Sequence, residues 1–183
     1  MKKLLVLSLL ISLVLVSCQT EMVSKGVREY EPDPAEAGHL EVDFAYYYSY
    51  EDFVEKSDII GIVAVEELKH VIVEPEDPGH GDSRCMYGEF KFIEVMYSSK
   101  KGISDGLTAN VCIWYEPAFA NIRAPEIELG GEYLVFLAEF PKDIPMVFTN
   151  FFDYQLINDF RLFKMEATED NKTRISELID TFK

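Results

Sequence analysis

The hydrophobic pattern of residues 86–97 changes phase midway along what reads as one long strand. Phe90 and Phe92 alternate with charged residues, and the apolar positions then continue at Ile93 and Val95. Because successive side chains of a strand point to opposite faces, this change would turn half of the apolar set toward solvent. A β-bulge at Phe92–Ile93 returns both halves to one core face and bends the strand. Strongly bent strands are what a small closed barrel requires, so we expect a barrel.

The other segments supply enough strands for such a barrel. Residues 59–65 form a continuous β-branched run, typical of a strand buried on both faces, and Gly61 within it indicates a bulge or tight coiling. This strand has room to continue to Val73 before the prolines that follow. We predict a mainly β (α+β) chain with five to six barrel strands, a short N-terminal helix and a C-terminal amphipathic helix. The further strands are expected at 86–97, 107–115, 133–138, 146–152 and 160–166, and the helices at 50–57 and 174–183, the second with Asn171 or Thr173 as its cap.

The first eighteen residues indicate where the chain is sent. Lys2 and Lys3 precede an apolar run, residues 4–16, that is too short to cross a bilayer core of roughly 30 Å, which needs about 20 residues. Ser17 followed by Cys18, with Leu15 at −3, resembles the lipobox of bacterial lipoproteins. The resemblance implies cleavage before Cys18, diacylation of its thiol and a membrane anchor in the cell envelope. The residue after Cys18 is glutamine rather than aspartate, which favours the outer membrane in a cell that has two.

Charge and composition define three parts of the chain. Residues 1–17 read as the signal peptide, residues 18–43 as an acidic tether, and residues 44–183 as one domain. Without Lys2 and Lys3 the mature chain has 15 basic against 33 acidic side chains, a net charge of −18. Such a charge opposes binding to nucleic acid phosphates and to anionic lipid surfaces. The hydrophobic content of 48% argues against a disordered chain.

Two cysteines remain once Cys18 is assigned to lipid, and a disulfide between them is one of two open readings. Cys85 and Cys112 form an even pair in a compartment where disulfides persist. A hairpin folded about Lys101-Gly102, however, would place Cys112 opposite residues 91–93 and away from Cys85. Because no CxxC occurs and the three histidines are scattered, a redox or metal role is weaker.

Three segments, in their order along the chain, resemble the OB-like barrel of netrin-module and tissue-inhibitor-like domains of small bacterial envelope proteins. They are residues 57–63 after the short helix, residues 92–95 followed by Lys101-Gly102, and residues 129–137. The resemblance covers roughly residues 50–140, and residues 160–182 fit the closing strand and helix. It implies an OB-like barrel and brings no active site. Tissue inhibitors act through a free N-terminal cysteine beside the barrel, whereas Cys18 is expected to be acylated, so inhibition of a protease is doubtful.

Few residues suggest chemistry. The loop 74–82 is rich in acidic residues but lacks the ligand order of a calcium loop, and the paired carboxylates Glu66-Glu67 and Glu169-Asp170 read as surface residues. No hydrolase, phosphate-loop or zinc-protease motif occurs, so we predict no enzyme, no catalytic residue, no metal and no cofactor. The candidate recognition surface is aromatic, with tyrosines that would otherwise only cover the barrel. It comprises Tyr46, Tyr47, Tyr48, Tyr50 and Trp114.

The expected function is therefore that of a lipid-anchored envelope protein that binds a protein or a glycan without catalysis. Two other readings stay open. One is a metal-dependent or hydrolytic envelope enzyme that uses the loop 74–82, and the other is a protease inhibitor.

Overall fold

A computed structural model of the protein describes residues 27–31, 49–73, 83–114, 127–140, 151–157 and 165–183. Within these residues the chain is mainly β, as predicted, with a closed five-stranded barrel and two helices. The elements in chain order are β1 (Val27–Glu29), α1 (Tyr50–Lys56), β2 (Ile59–Val73), β3 (Ser83–Ser98), β4 (Thr108–Trp114), β5 (Glu132–Glu139), β6 (Tyr154–Leu156), β7 (Met165–Glu166) and α2 (Glu169–Phe182).

Five strands close the barrel in the order β2-β3-β4-β6-β5, and β5 pairs back onto β2. The closing ladder is antiparallel and runs from the pair Ile59–Leu137 to the pair Ala64–Glu132. The β4–β6 contact is parallel, whereas the other barrel pairs are antiparallel. Counted from β2, this order is 1-2-3-5-4, which is the Greek-key order of an OB barrel. Strands β1 and β7 extend the sheet by pairing with β2 and β5.

The predicted β-bulge is present in β3. The β2–β3 register shifts between Ile62 and Val63, where Ile93 has no partner on β2, and it shifts twice more along the same ladder. Val95 packs against the barrel core, so the bulge does restore the inward phase after Phe92. Ile93 itself is 44% exposed. Its predicted place on the core face is wrong, because the bulge leaves Ile93 unpaired and exposed together with Glu94, and the inward phase resumes only at Val95.

The barrel interior is filled by apolar side chains from every barrel strand. Aromatic rings contribute much of the volume, and the aliphatic residues between them come largely from the alternating positions of β2, β4 and β5. The largest fully buried members are Ile59, Val63, Phe90, Phe92, Ile113 and Leu137.

Both predicted helices exist and pack on one outer side of the barrel. The Ser49 hydroxyl accepts from the Asp52 amide, and the Asp52 carboxylate accepts from the Ser49 amide, so α1 begins with a capping box. Helix α2 begins at Glu169 with Thr168 as its cap, not Asn171 or Thr173. The helix begins five residues before the predicted start at residue 174. The acidic pair Glu169-Asp170 was interpreted only as surface residues, whereas acidic residues favour the first turn of a helix. Both helices bury apolar residues against β2, β5 and β7 in a cluster formed by Phe53, Val54, Ile60, Leu134, Phe136, Met165 and Ile175.

Strand β1 lies inside the segment that the sequence assigns to the tether. It pairs with the end of β2, from Val27–Val73 to Glu29–Val71, and the Tyr30 amide continues the ladder to the His70 carbonyl at 3.1 Å. An ion pair of 2.6 Å between Lys69 and Glu29 accompanies this pairing. The folded part of the chain therefore includes residues 27–31, a short pairing that composition alone does not reveal.

The two strands predicted at 146–152 and 160–166 are described only at their ends. Of residues 146–152, only 151 and 152 are described, and these precede β6 instead of forming a strand. Of residues 160–166, the described pair 165–166 forms β7. The other positions in these two segments lie outside the described residues.

Candidate recognition surface

The five residues predicted for recognition divide between described and undescribed parts of the chain. Tyr46, Tyr47 and Tyr48 lie outside the described residues, as do Cys18 and the acidic loop 74–82. Tyr50 and Trp114 are described, and the structure packs them against different clusters on the barrel exterior.

Tyr50 belongs to the helical side of the barrel. The guanidinium carbon of Arg174 lies 4.4 Å from the centre of its ring, and the Phe53 ring meets it edge-on at 6.5 Å. The Arg174 contact joins α2 to α1, whereas the Phe53 contact lies within α1. Tyr50 therefore covers the barrel, which was the alternative reading for the tyrosines.

Trp114 lies on the outer face of β3 and β4. Since alternate residues of β4 face the core (Ala109, Val111 and Ile113), the residues between them face outward. The register pairs Trp114 with Cys85 and Cys112 with Tyr87. This register corrects the predicted hairpin, which placed Cys112 opposite residues 91–93. The Phe92 amide donates to the Leu107 carbonyl at 2.8 Å, so β3 beyond Phe92 continues past β4 and pairs with β2 alone.

Phenylalanines on either side of the β5–β6 connection fold onto this outer face. The Phe140 ring stacks on Trp114 at 6.1 Å between centroids, and the Phe151 ring lies 5.2 Å from Tyr87. Phe152 joins them, 5.4 Å from Phe140 and edge-on to Phe151 at 5.0 Å. We call these five residues (Tyr87, Trp114, Phe140, Phe151 and Phe152) the aromatic surface. Trp114 and Phe151 are partly exposed, whereas the other three are buried.

Hydrogen bonds orient Tyr87 at one edge of the aromatic surface. The Tyr87 hydroxyl donates to Asn110 Oδ1 at 2.9 Å, and the backbone amide of Asn110 donates to Asp153 Oδ2 at 2.9 Å. The backbone amide of Asp153 donates in turn to the backbone carbonyl of Asn110 at 2.9 Å. Burial, aided by the nearby carboxylates of Glu89 and Glu67, raises the pKa of Tyr87 to about 12. At neutral pH, Tyr87 is thus an uncharged hydrogen-bond donor in a fixed orientation.

The two cysteines lie beneath the aromatic surface. Both are free thiols and fully buried, in a cluster with Val71, Val73 and the phenylalanines. Burial raises the pKa of the Cys112 thiol well above its usual value, and contact with the Cys85 thiol raises it further. Because the thiolate is the nucleophilic form, this pKa opposes a role for Cys112 in hydrolysis.

The described residues offer little else for catalysis. Glu66 pairs with Lys91 at 3.4 Å and Glu67 with Lys69 at 2.8 Å, so both carboxylates of this predicted surface pair are engaged in ion pairs. In the described part of the chain no three side chains among histidine, cysteine, aspartate and glutamate form a metal-binding group. Nor do those residues contain a helix long and apolar enough to span a bilayer.

Sequence reasoning missed most of the aromatic surface. It selected Trp114 from the alternation of β4 but passed over Tyr87 and the phenylalanines. The dipeptide Phe151-Phe152 within a segment of weak strand character was the available signal. These two residues pack against β3 and β4 because the strand order of the barrel places β6, which follows them, beside β4.

The comparisons give no family for the chain. No model of a known protein family matches it, and no curated protein sequence matches it.

Proposed function

We propose that the protein is a lipid-anchored module of the cell envelope that binds a partner through the aromatic surface and catalyses no reaction. The anchor would be the acylated Cys18, which the lipobox resemblance implies. The observation that best supports the binding role is that a partly exposed tryptophan and a partly exposed phenylalanine pack on the same aromatic cluster on the outer face of β3 and β4. The corresponding face of OB barrels binds extended ligands.

The packed interior of the barrel supports contact on its outside. Phe90, Phe92 and Ile113 are buried at its centre, so the barrel encloses side chains where larger barrels enclose a ligand. Flat aromatic groups supply large and rigid contact area on an external surface.

The surrounding charges favour a protein or a glycan as the partner. Glu89 and Asp153 flank the aromatic surface, and the whole chain has a net charge of −16. OB barrels that bind single-stranded nucleic acid combine aromatic residues with basic grooves, which this acidic environment opposes.

Crosslinking of the full-length protein in its native membrane tests the proposal. Wild type and Trp114→Ala would be treated with a crosslinker, and the attached molecules would be identified by mass spectrometry. We expect defined adducts with the wild-type protein and their loss, by about tenfold or more, with Trp114→Ala, as for an aromatic hot spot.

The control is Leu129→Ala, which removes an apolar side chain that is 67% exposed and lies outside the aromatic surface. It should leave the adducts unchanged. Equal adducts with all three proteins would contradict binding through this surface.

A further inference from the structure

Cys85 and Cys112 are cross-strand neighbours in the sheet. Their register partners are Trp114 and Tyr87, so the two cysteines lie diagonally, two residues apart along an antiparallel pair. Both side chains leave the same face of the sheet and belong to the same buried cluster. This proximity reverses the sequence argument that kept the cysteines apart.

The environment of the pair is closed and apolar. Both thiols are fully buried, and the rings of Tyr87, Phe140 and Phe152 belong to the same cluster. A disulfide is an apolar group that such a cluster accommodates, and it would join β3 to β4 directly below the aromatic surface.

We infer that Cys85 and Cys112, which are free thiols in this structure, are oxidised to a disulfide in the mature protein and that this bond fixes the β3–β4 face. The inference rests on the proposed location outside the cytoplasm, where disulfides form and persist. The oxidant is the disulfide of a thiol–disulfide exchange protein that acts on exported chains.

The exchange balances in two steps. One cysteine, as its thiolate, attacks a sulfur of the donor disulfide, which forms a mixed disulfide and releases one donor thiolate. The second cysteine then attacks the sulfur of the first and releases the other donor thiolate, so two protons and two electrons leave the pair. Because both thiols are fully buried in the folded protein, these steps belong to folding, before the phenylalanines cover the pair.

The test is a thiol map of the full-length protein from its native membrane. The protein would be denatured in an alkylating reagent without reductant and then digested with trypsin. The cleavage sites place Cys85 in peptide 85–91 and Cys112 in peptide 102–123. We expect one linked product, lighter by two hydrogen atoms than the two reduced peptides together, and separation of the peptides after reduction.

Alkylation of both cysteines without prior reduction would overturn the inference. The peptide that contains Cys18 reports the location separately in the same digest. Free thiols with an acylated Cys18 refute the disulfide alone, and linked peptides with an intact leader refute the location alone.

Thermal unfolding tests whether the bond supports the fold. Reduction of the wild-type protein should lower Tm by roughly 5–15 °C, whereas the variant Cys85→Ala/Cys112→Ala should not respond to reductant. If that variant does not fold, the reduced and oxidised wild-type proteins still provide the comparison. An equal Tm for the two would refute the supporting role.

Discussion

Asp58 links the ends of three barrel strands. Its carboxylate accepts from the Glu139 amide at 2.8 Å and from the Ser99 hydroxyl at 2.9 Å. Its backbone donates to Leu137 and accepts from Ser99. The Lys100 ammonium lies 3.5 Å from one carboxylate oxygen and also pairs with Glu139. The ends of β2, β3 and β5 are thereby joined by one side chain.

The ionisation of Asp58 follows from these contacts. Burial is the largest single influence and raises the pKa of its carboxyl, but the hydrogen bonds from Glu139 and Ser99, with the charge of Lys100, together hold this pKa below its usual value. A carboxyl whose pKa is lower in the folded state stabilises the fold above its unfolded pKa. This stabilisation is lost as the pH falls through the folded pKa.

Asp58→Asn should lower the free energy of unfolding at pH 7 by about 1–3 kcal/mol, because it removes the charge that faces Lys100 and puts an N–H donor where the carboxylate accepts hydrogen bonds. Below about pH 4 the difference from wild type should shrink, since the carboxyl is protonated first in the unfolded wild-type chain and, at lower pH, in the folded one. Urea unfolding of both proteins at pH 7 and pH 3 measures the difference. Glu132→Gln, at an exposed carboxylate, should show no such pH-dependent gap. An Asp58→Asn protein as stable as wild type at pH 7 would contradict this role.

Single residues show how far the sequence could be interpreted. The helix predicted from residue 50 does begin there, and the capping box that starts it depends on two residues only three apart, Ser49 and Asp52. Asp58 was noted as part of a motif, but its partners are up to 81 residues away in the chain. Such contacts exist only once the barrel has closed, so local pattern reading does not reach them.

At the scale of elements, β2 and β3 determine the curvature of the barrel. Both strands are long, at 15 and 16 residues, and three register shifts between them bend the ladder. The bulge at Phe92–Ile93 could be predicted from the sequence because it breaks a strict alternation of apolar and polar residues. The register of β3 with β4 could not be predicted, because the connection from Ser99 to Leu107 is longer than the two-residue turn that a hairpin folded about Lys101-Gly102 assumes.

Gly61 is required at the bend of β2. A Cβ atom at this position would lie 2.6 Å from the Glu94 carbonyl oxygen of β3. Gly61→Ala should therefore displace the β3 backbone and lower the free energy of unfolding by about 1–3 kcal/mol. Urea unfolding measures this change. A loss below about 0.5 kcal/mol would contradict this close contact between Gly61 and the Glu94 carbonyl.

Helix α2 is attached mainly through Ile175, which is fully buried against α1 and the barrel. Ile175→Ala leaves a cavity and should lower the free energy of unfolding by about 2–5 kcal/mol. The neighbouring exposed position supplies the control, and Ser176→Ala should change stability by no more than about 0.5 kcal/mol. Thermal or urea unfolding distinguishes them. Equal effects of the two substitutions would contradict the packing of α2.

At the scale of the whole molecule, the proposed function joins a barrel, an acidic surface and a lipid anchor. The barrel class followed from strand patterns and from the motif order, and the fold agrees with it. Strand β1 begins nine residues after Cys18 and pairs with the end of β2. The sequence assigned all of residues 18–43 to a tether, because three paired residues leave no hydrophobic pattern long enough to recognise.

Mass spectrometry of the amino-terminal peptide from the native protein tests lipid anchoring outside the cytoplasm most directly. We expect a chain that begins at Cys18 and carries a diacylglyceryl group on the Cys18 sulfur. A native chain that still carries residues 1–17 and an unmodified Cys18 would contradict the proposal.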